Sequence, residues 1–209
     1  MQPHDASVRS REVWDRLAGR YDRDIRFLEA KLFTGGREWV CSRAAGDVLE
    51  VAVGTGRNLD FYPGDVRLTG LELSPAMLAV ARRRAAGLGR PIALHEGDAQ
   101  ALPYRDASFD TVVCVLSLCA ITDAGVALAE MRRVLRPGGR LLLLDHVAGT
   151  RAAVRAVQWL AERVTLPLQG EHLTRRTLPM VRAAGFDVVE QERLKAGIVQ
   201  RIHARKPAG

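Results

Sequence analysis

The sequence predicts an α/β fold in which a doubly wound, mostly parallel sheet of seven strands ends in an antiparallel C-terminal hairpin. Five short and almost continuously apolar runs alternate with helical patterns, which is typical of parallel strands buried on both faces. A glycine-rich turn, Gly54-Thr55-Gly56, follows the first run. Two further runs near the C-terminus flank Ala196-Gly197, a turn that would pair them as antiparallel neighbours.

The elements follow from the spacing of apolar and turn residues. Ser74 is the expected N-cap of a helix that has Pro75 at its first position and ends near Gly87. The Pro-Gly-Gly sequence at 137–139 should end the next helix, because proline cannot continue it. The predicted strands are 47–53, 66–72, 92–97, 111–116, 140–145, 187–194 and 198–204, and the predicted helical segments are 10–45, 58–62, 75–87, 124–135, 151–168 and 178–184.

Composition favours one globular domain. The chain has 209 residues, 47% of them hydrophobic, which suffices for one core but not for two ordinary domains. We find neither an apolar run of the roughly 18 residues that a membrane span needs nor an N-terminal apolar signal core, so we expect a cytoplasmic protein. The net charge of +7 is scattered, which argues against nucleic acid as a partner. The three cysteines form no close pairs, so we expect buried thiols and no metal site.

Polar residues at the ends of successive strands indicate where a ligand binds. In doubly wound sheets ligands bind beyond the carboxyl ends of the strands, where Gly54-Thr55-Gly56 lies. Glu72 closes the second strand, about where a carboxylate would hold a ribose diol, and Asp98 closes the third, where it can accept a hydrogen bond from an adenine amine. Together these features favour a nucleotide-like cofactor over a purely structural turn.

Five segments resemble the class I S-adenosylmethionine-dependent methyltransferases: LEVAVGTGR at 49–57, LELSPAML at 71–78, EGDAQAL at 96–102, FDTVV at 109–113 and VLRPGGRLLLL at 134–144. The resemblance extends from about Trp14 to Lys206. Other segments look like the branch that contains a thiol S-methyltransferase and bacterial phospholipid N-methyltransferases: NLDFYP at 58–63, VCVLSLC at 113–119, Asp145-His146-Val147 and His172-Leu173-Thr174-Arg175. The resemblance implies a Rossmann-like fold, with an N-terminal helical lid (1–45), a cofactor-binding core (46–146) and a substrate-side helix and hairpin (147–209) in a single domain.

The resemblance also implies the cofactor, S-adenosylmethionine, with S-adenosylhomocysteine as its product. Gly54 and Gly56 would pass close to the methionine part, Glu72 would hold the ribose, and Tyr21 would close over the carboxylate end as a lid. Ala52 departs from the pattern, since the family usually has a glycine there; its methyl group should narrow the turn without abolishing binding. The full set of implied cofactor residues is Tyr21, Glu50, Val51, Ala52, Gly54, Gly56, Asn58, Glu72, Leu73, Met77, Asp98, Ala99 and Leu116.

The acceptor is less defined than the cofactor. His146, after the fifth strand, is a candidate proton acceptor, with a structural role as the alternative. Trp159, His172 and Arg175 are candidate contacts to a small-molecule acceptor, a thiol, amine or hydroxyl. Segment 151–168 is expected to be a pocket lid packed on the sheet; the alternative is an interfacial helix of a non-catalytic or membrane-surface protein, such as a phospholipid N-methyltransferase. A nicotinamide-dependent oxidoreductase is a further alternative, which Leu59 disfavours because it stands where that fingerprint needs its third glycine. The sequence does not determine the oligomeric state.

Overall fold

The computed structural model describes residues 3–209, and the side chains of this range apart from 3–6 and 169. Seven strands form its single sheet: β1 (Asp47–Val51), β2 (Arg67–Glu72), β3 (Ala93–Glu96), β4 (Phe109–Val115), β5 (Leu135–His146), β6 (Asp187–Leu194) and β7 (Val199–Arg205). Their order is β3-β2-β1-β4-β5-β7-β6. The first five strands are parallel, whereas β7 runs antiparallel between β5 and β6. The predicted fold class is therefore confirmed.

Helices cover both faces of the sheet. They are α1 (Pro3–Leu17), α2 (Tyr21–Leu32), α3 (Gly36–Cys41), α4 (Pro75–Ala86), α5 (Ala124–Val134), α6 (Ala152–Gln169) and α7 (Thr177–Ala183), and a 3-10 turn spans Leu59–Phe61. Side chains of α5 and α7 pack in the core on one face, and those of α3 and α4 on the other. Burial on both faces explains why the central strands are almost continuously apolar.

Several element ends differ from the prediction for identifiable reasons. β1 stops at Val51 because Ala52 has a φ of 56°, and β4 stops at Val115 because Leu116 has a φ of 54°. β5 begins at Leu135, which was predicted as the last residue of a helix, and it includes the Pro-Gly-Gly segment at 137–139 that was predicted as a turn. Gly138, at a φ of 75°, forms an irregularity there without ending the pairing: its N–H donates to the carbonyl of Lys206, whose own N–H donates to the carbonyl of Gly139.

The cap of α4 and the state of the three cysteines agree with the predictions. The Ser74 hydroxyl accepts the N–H of Met77, 3.1 Å away, and so caps α4. The three cysteines, Cys41, Cys114 and Cys119, are buried free thiols. Across the described part of the chain, every helix is too short or too polar to cross a bilayer.

Candidate cofactor and acceptor site

A cavity lies where the carboxyl ends of β1 to β4 meet, with about 700 Å³ of empty space, part of it open to solvent. The parallel direction of these strands brings their terminal residues to one edge of the sheet, although they are far apart in sequence. Nine residues predicted from the sequence line this cavity: Tyr21, Ala52, Gly54, Glu72, Leu73, Met77, Asp98, Ala99 and Leu116.

The two glycines of the loop after β1 have different roles. A Cβ added to Gly54 would meet no atom within 4 Å, so this backbone borders open cavity that a ligand can occupy. A Cβ added to Gly56 would lie 2.9 Å from Leu59 Cδ1 and 3.2 Å from Ala81, so Gly56 permits packing against α4. Gly56 was predicted to approach the cofactor, and the structure places it among protein atoms.

Ala52 is strained, because a φ of 56° is the left-handed region that favours glycine. We expect Ala52→Gly to raise the free energy of unfolding by about 1 kcal/mol without weakening binding of S-adenosylmethionine. Thermal and denaturant unfolding, together with calorimetric titration, would measure both effects. Ala107, at a φ of 51° on an exposed turn, is the matched control, since Ala107→Gly should stabilise similarly. A lower free energy of unfolding in Ala52→Gly would contradict the interpretation that the backbone at Ala52 is strained.

Glu72 connects the end of β2 to the glycine loop. Its carboxylate accepts the N–H of Gly54 at 2.8 Å and the N–H of Ser74 at 2.9 Å. The side chain is buried, and burial raises its pKa. A carboxylate oxygen carries two lone pairs, so each oxygen can accept one further bond from a ligand hydroxyl in the cavity.

Asp98 lies where the N-terminal helix closes the cavity. The Ser7 hydroxyl donates to Asp98 Oδ2 at 2.6 Å, and the N–H of Gln100 donates to Oδ1 at 2.8 Å. The cavity wall therefore includes residues that the sequence analysis missed: Ser7, Ser10, Trp14, Gln100, Ser117, Ala120, Ile121 and Thr122. The spacing of Ser7, Ser10 and Trp14 puts them on one helical face with the Tyr21 pattern, and this signal could have identified them.

A smaller cavity adjoins the first and shares Tyr21, Ala52, Gly54 and Ser117 with it. Arg37 and Asn58 also line it, and the Arg37 guanidinium donates to Asn58 Oδ1 at 2.6 Å. This cavity combines a cation, backbone of the glycine loop and an amide, which suits the carboxylate end of an amino acid. Asn58 thus borders a cavity as expected, whereas Arg37 was missed.

Glu50 and Val51 are not among the described residues that border either cavity. Val51 is a fully buried core residue of β1. Glu50 accepts the Asn58 side-chain N–H at 2.6 Å and the Tyr62 hydroxyl at 2.8 Å. Burial raises the pKa of Glu50 to about 7. Both residues were predicted to contact the cofactor; the structure instead gives Glu50 a supporting position beneath Asn58.

Tyr21 closes the space between the two cavities. Its ring packs edge-on against Trp14, with centroids 6.0 Å apart, and burial raises its pKa. The neighbouring Asp22 accepts the Thr55 hydroxyl at 2.6 Å and pairs with Arg84. These contacts hold the start of α2 against the glycine loop, as a closed lid would require.

A polar cluster of Cys119, Asp145 and His146 lies at the carboxyl ends of β4 and β5, with Cys119 and Asp145 buried and His146 partly buried. One potential ligand atom from each lies within 4.8 Å of the others. The Asp145 carboxylate accepts the backbone N–H of Cys119 and that of His146, both at 2.8 Å, and burial raises its pKa. Both His146 ring nitrogens are inaccessible to solvent and have no hydrogen-bond partner among the described residues. Buried polar atoms usually have a hydrogen-bond partner, so these two nitrogens call for an explanation.

The residues predicted to contact the acceptor differ from expectation. His172 donates its backbone N–H to Cys119 at 3.0 Å, and its ring lies 3.7 Å from Glu162. The Arg175 guanidinium donates to the carbonyls of Leu118 and Ile121, so it holds the loop after β4. Trp159 is 54% exposed on α6 beneath the Arg163 guanidinium, 3.6 Å from the ring centroid, and faces away from both cavities.

Glu171 was not predicted and lies beside the Cys119 cluster. The His172 backbone bond to Cys119 places it there. Burial raises the pKa of Glu171, with a smaller contribution from Asp145 in the same direction. No described group in the range 3–209 forms a hydrogen bond with its carboxylate. A single acidic residue in a loop carries no motif, which is why the sequence did not identify it.

These residues fit S-adenosylmethionine. The space that a Cβ of Gly54 would fill is open for the cofactor. The carboxylates of Glu72 and Asp98 can each accept further hydrogen bonds, which would come from the ribose hydroxyls at Glu72 and from the adenine amine at Asp98. Met77, Leu73 and Leu116 would supply apolar contact for the bound cofactor, and Arg37, which also pairs with Glu29, would supply a cation near its carboxylate.

Comparison with known proteins gives the same assignment. A family model described as "Methyltransferase domain" matches residues 49–143. The ubiquinone/menaquinone biosynthesis C-methyltransferase UbiE of Paracoccus denitrificans is 34% identical, over 89% of this chain and 86% of that protein. The phosphatidylethanolamine N-methyltransferase of Cereibacter sphaeroides is also 34% identical, over 73% of this chain and 75% of that one.

Solved structures share the fold. A Thermotoga maritima protein described as a SAM-dependent methyltransferase, possible histamine N-methyltransferase, superposes with a TM-score of 0.72 at 22% identity, covering 93% of this chain and 99% of that chain. The relatives decide against the nicotinamide-dependent alternative. On this sequence similarity, with the cavity geometry above, the chain belongs to the class I S-adenosylmethionine-dependent methyltransferases and uses S-adenosylmethionine as its cofactor.

Proposed function

We propose that the chain methylates a small-molecule acceptor bound between Ser117 and the cluster of Cys119, Asp145 and His146, and that His146 accepts the proton that the acceptor loses. The observation that carries this proposal is the His146 imidazole, whose nitrogens are buried and have no partner among the described residues. Ser117 and Leu116 line the cofactor cavity two or three residues before Cys119, so the cluster adjoins the site of methyl transfer.

The bound cofactor supplies a methyl group already activated on a sulfonium. Transfer of that methyl group to the acceptor would leave the cofactor as its neutral thioether. The chain's residues must therefore align the acceptor, exclude water and remove a proton. Asp145 fixes the backbone of Cys119 and His146 through two hydrogen bonds. Tyr21, packed on Trp14, would help to exclude water once the cofactor and acceptor are bound.

The leading candidate acceptor is a hydroxylated aromatic ring. Loss of the hydroxyl proton to His146 would make the phenolic oxygen, and through conjugation the ring carbon ortho to it, nucleophilic. Methylation on that carbon would then release the carbon's own proton and restore the aromatic ring. The name of the Paracoccus denitrificans relative, a C-methyltransferase of ubiquinone and menaquinone biosynthesis, supports this class. A thiol would be activated by the same proton transfer.

An amine is the second candidate, for a different reason. Asp145 and Glu171 are carboxylates whose pKa values are raised by burial. The positive charge of an ammonium group would offset the cost of burying their negative charges. The Cereibacter sphaeroides relative carries the name of an enzyme acting on phosphatidylethanolamine, which bears such an amine. The proposed lid (1–45) and substrate-side segment (147–209) would enclose either acceptor.

A labelled-methyl transfer screen tests the acceptor. Phenols and quinols, thiols, amines and phosphatidylethanolamine would be offered with S-adenosylmethionine, and the products analysed by mass. With the best acceptor, we expect His146→Asn to lower kcat by at least about 100-fold while cofactor affinity is unchanged. His95→Asn is the matched control, since His95 is exposed and hydrogen-bonds Tyr104 away from the cluster. A full kcat in His146→Asn would exclude its role as proton acceptor.

A further inference from the structure

Helix α6 turns a polar stripe toward the protein. Gln158 donates to the carbonyls of Val147 and Leu173, at 2.9 and 3.1 Å, and accepts the N–H of Gly149 at 2.7 Å. Glu162 accepts both the backbone N–H and the hydroxyl of Thr174, at 2.7 and 2.6 Å. The Thr165 hydroxyl donates to the carbonyl of Glu171 at 3.2 Å. Residues 158, 162 and 165 recur every three to four positions and so share one helical face.

Most of the exposed residues of the same helix are apolar. The exposed fractions are 69% for Val157, 63% for Leu160 and Leu168, 59% for Val164 and 54% for Trp159. A surface helix ordinarily turns its apolar stripe inward and its polar residues outward. In α6 this arrangement is reversed, so its outer face has the character of a surface that contacts an apolar phase or partner.

The exposed charged residues of α6 and of its N-cap are all arginines. Arg151, Arg155 and Arg163 are exposed, and the Arg163 guanidinium stacks on the Trp159 ring. The one acidic residue of the helix, Glu162, is turned inward to Thr174. Exposed apolar residues flanked by arginines, with tryptophan among them, are the features of a helix that lies in the interface of an anionic membrane.

We propose that the outer face of α6, formed by Val157, Trp159, Leu160, Val164 and Leu168 with Arg151, Arg155 and Arg163, docks on a bilayer that contains anionic lipid. A second copy of the chain fits this surface less well, because a symmetric contact would bring arginines of two helices together without acids between them. This inference goes beyond the proposed function. Hydrogen bonds join α6 to segment 171–174, which lies beside Cys119. If the acceptor binds there, as the proposed function requires, membrane docking would place the acceptor site near lipid.

Vesicle sedimentation tests the proposal without any methyl transfer. The full chain would be mixed with vesicles of phosphatidylcholine alone or of phosphatidylcholine with phosphatidylglycerol. We expect it to sediment with the anionic vesicles and to be released by salt, which screens the arginines. The double variants Trp159→Glu/Leu160→Glu and Arg155→Glu/Arg163→Glu should each bind at least about tenfold more weakly. The first replaces apolar contacts with charge, and the second reverses two positive charges that face anionic lipid.

Two variants away from α6 control for charge and apolar exposure. Val189, 56% exposed on β6, and Arg83, exposed on α4, would be changed to glutamate, and both variants should bind as the unaltered chain does. Circular dichroism and thermal unfolding would establish that all variants are folded. Absence of sedimentation, or equal binding by the α6 variants, would overturn the proposal. A chain that elutes as a dimer and becomes monomeric in Trp159→Glu/Leu160→Glu would assign the face to a second copy instead. Methyl transfer to a soluble acceptor by the α6 variants would separate the failure of docking from a failure of the proposed function.

Discussion

Gly54→Val is expected to reduce the affinity for S-adenosylmethionine by at least about 100-fold, more than 2.7 kcal/mol in binding free energy. The Cβ of any side chain at this position stands in the open cavity that the cofactor fits, and valine adds two methyl groups there. Such a clash cannot be relieved by moving the loop alone, because the N–H of Gly54 is held by Glu72 at 2.8 Å. Calorimetric titration with S-adenosylmethionine or S-adenosylhomocysteine would measure the loss.

Gly54 also has a φ of 57°, so the substitution strains the backbone as well as blocking the cavity. Gly89→Val is the matched control, because Gly89 has a φ of 66°, has no atom within 4 Å of an added Cβ, and lies in the loop after α4. Both variants should lose stability, whereas only Gly54→Val should lose cofactor binding. Wild-type affinity in Gly54→Val would mean that the loop is merely a turn.

Glu72→Ala is expected to weaken cofactor binding by about 1.5 to 3 kcal/mol, because a charge-assisted hydrogen bond to the ribose is lost. The structure adds a second expected effect. The N–H groups of Gly54 and Ser74 lose their acceptor, so the variant should also be less stable than the unaltered chain. Affinity should be measured well below the unfolding midpoint, so that the two effects remain separate.

The ribose assignment can be checked with a shorter ligand. 5′-Methylthioadenosine retains the ribose and adenine but lacks the amino-acid tail, so Glu72→Ala should weaken its binding by the same factor. Glu96→Ala is the control, since Glu96 also ends a strand but is 46% exposed and pairs with Arg11. An unchanged dissociation constant for both ligands would remove Glu72 from the site.

Much of the cofactor site follows from the sequence alone. Parallel strands place their carboxyl ends at one edge, so the chain order of Gly54, Glu72 and Asp98 is enough to predict that they converge, and they line one cavity. The strands themselves are predictable because burial on both faces requires nearly continuous apolar runs. The ends of the strands are less predictable, because alanine and leucine at positions 52 and 116 give no sign that the backbone there is left-handed.

Which face of an element meets the protein is decided by the tertiary structure. Helical periodicity places Gln158 and Glu162 on one face of α6 and Leu160 on another, but it does not determine which face is buried. In the structure the polar face forms hydrogen bonds with backbone at 147–149 and 173–174, and Trp159 is exposed. Contacts between distant segments were equally beyond the sequence. Ser7 with Asp98, Arg37 with Asn58, and Cys119 with Asp145 are pairs that only folding brings together. The sequence by itself determined the sheet and the residues at its edge, because these depend on local pattern and strand direction. The packing of helices around that edge depended on long-range complementarity, which no local pattern encodes.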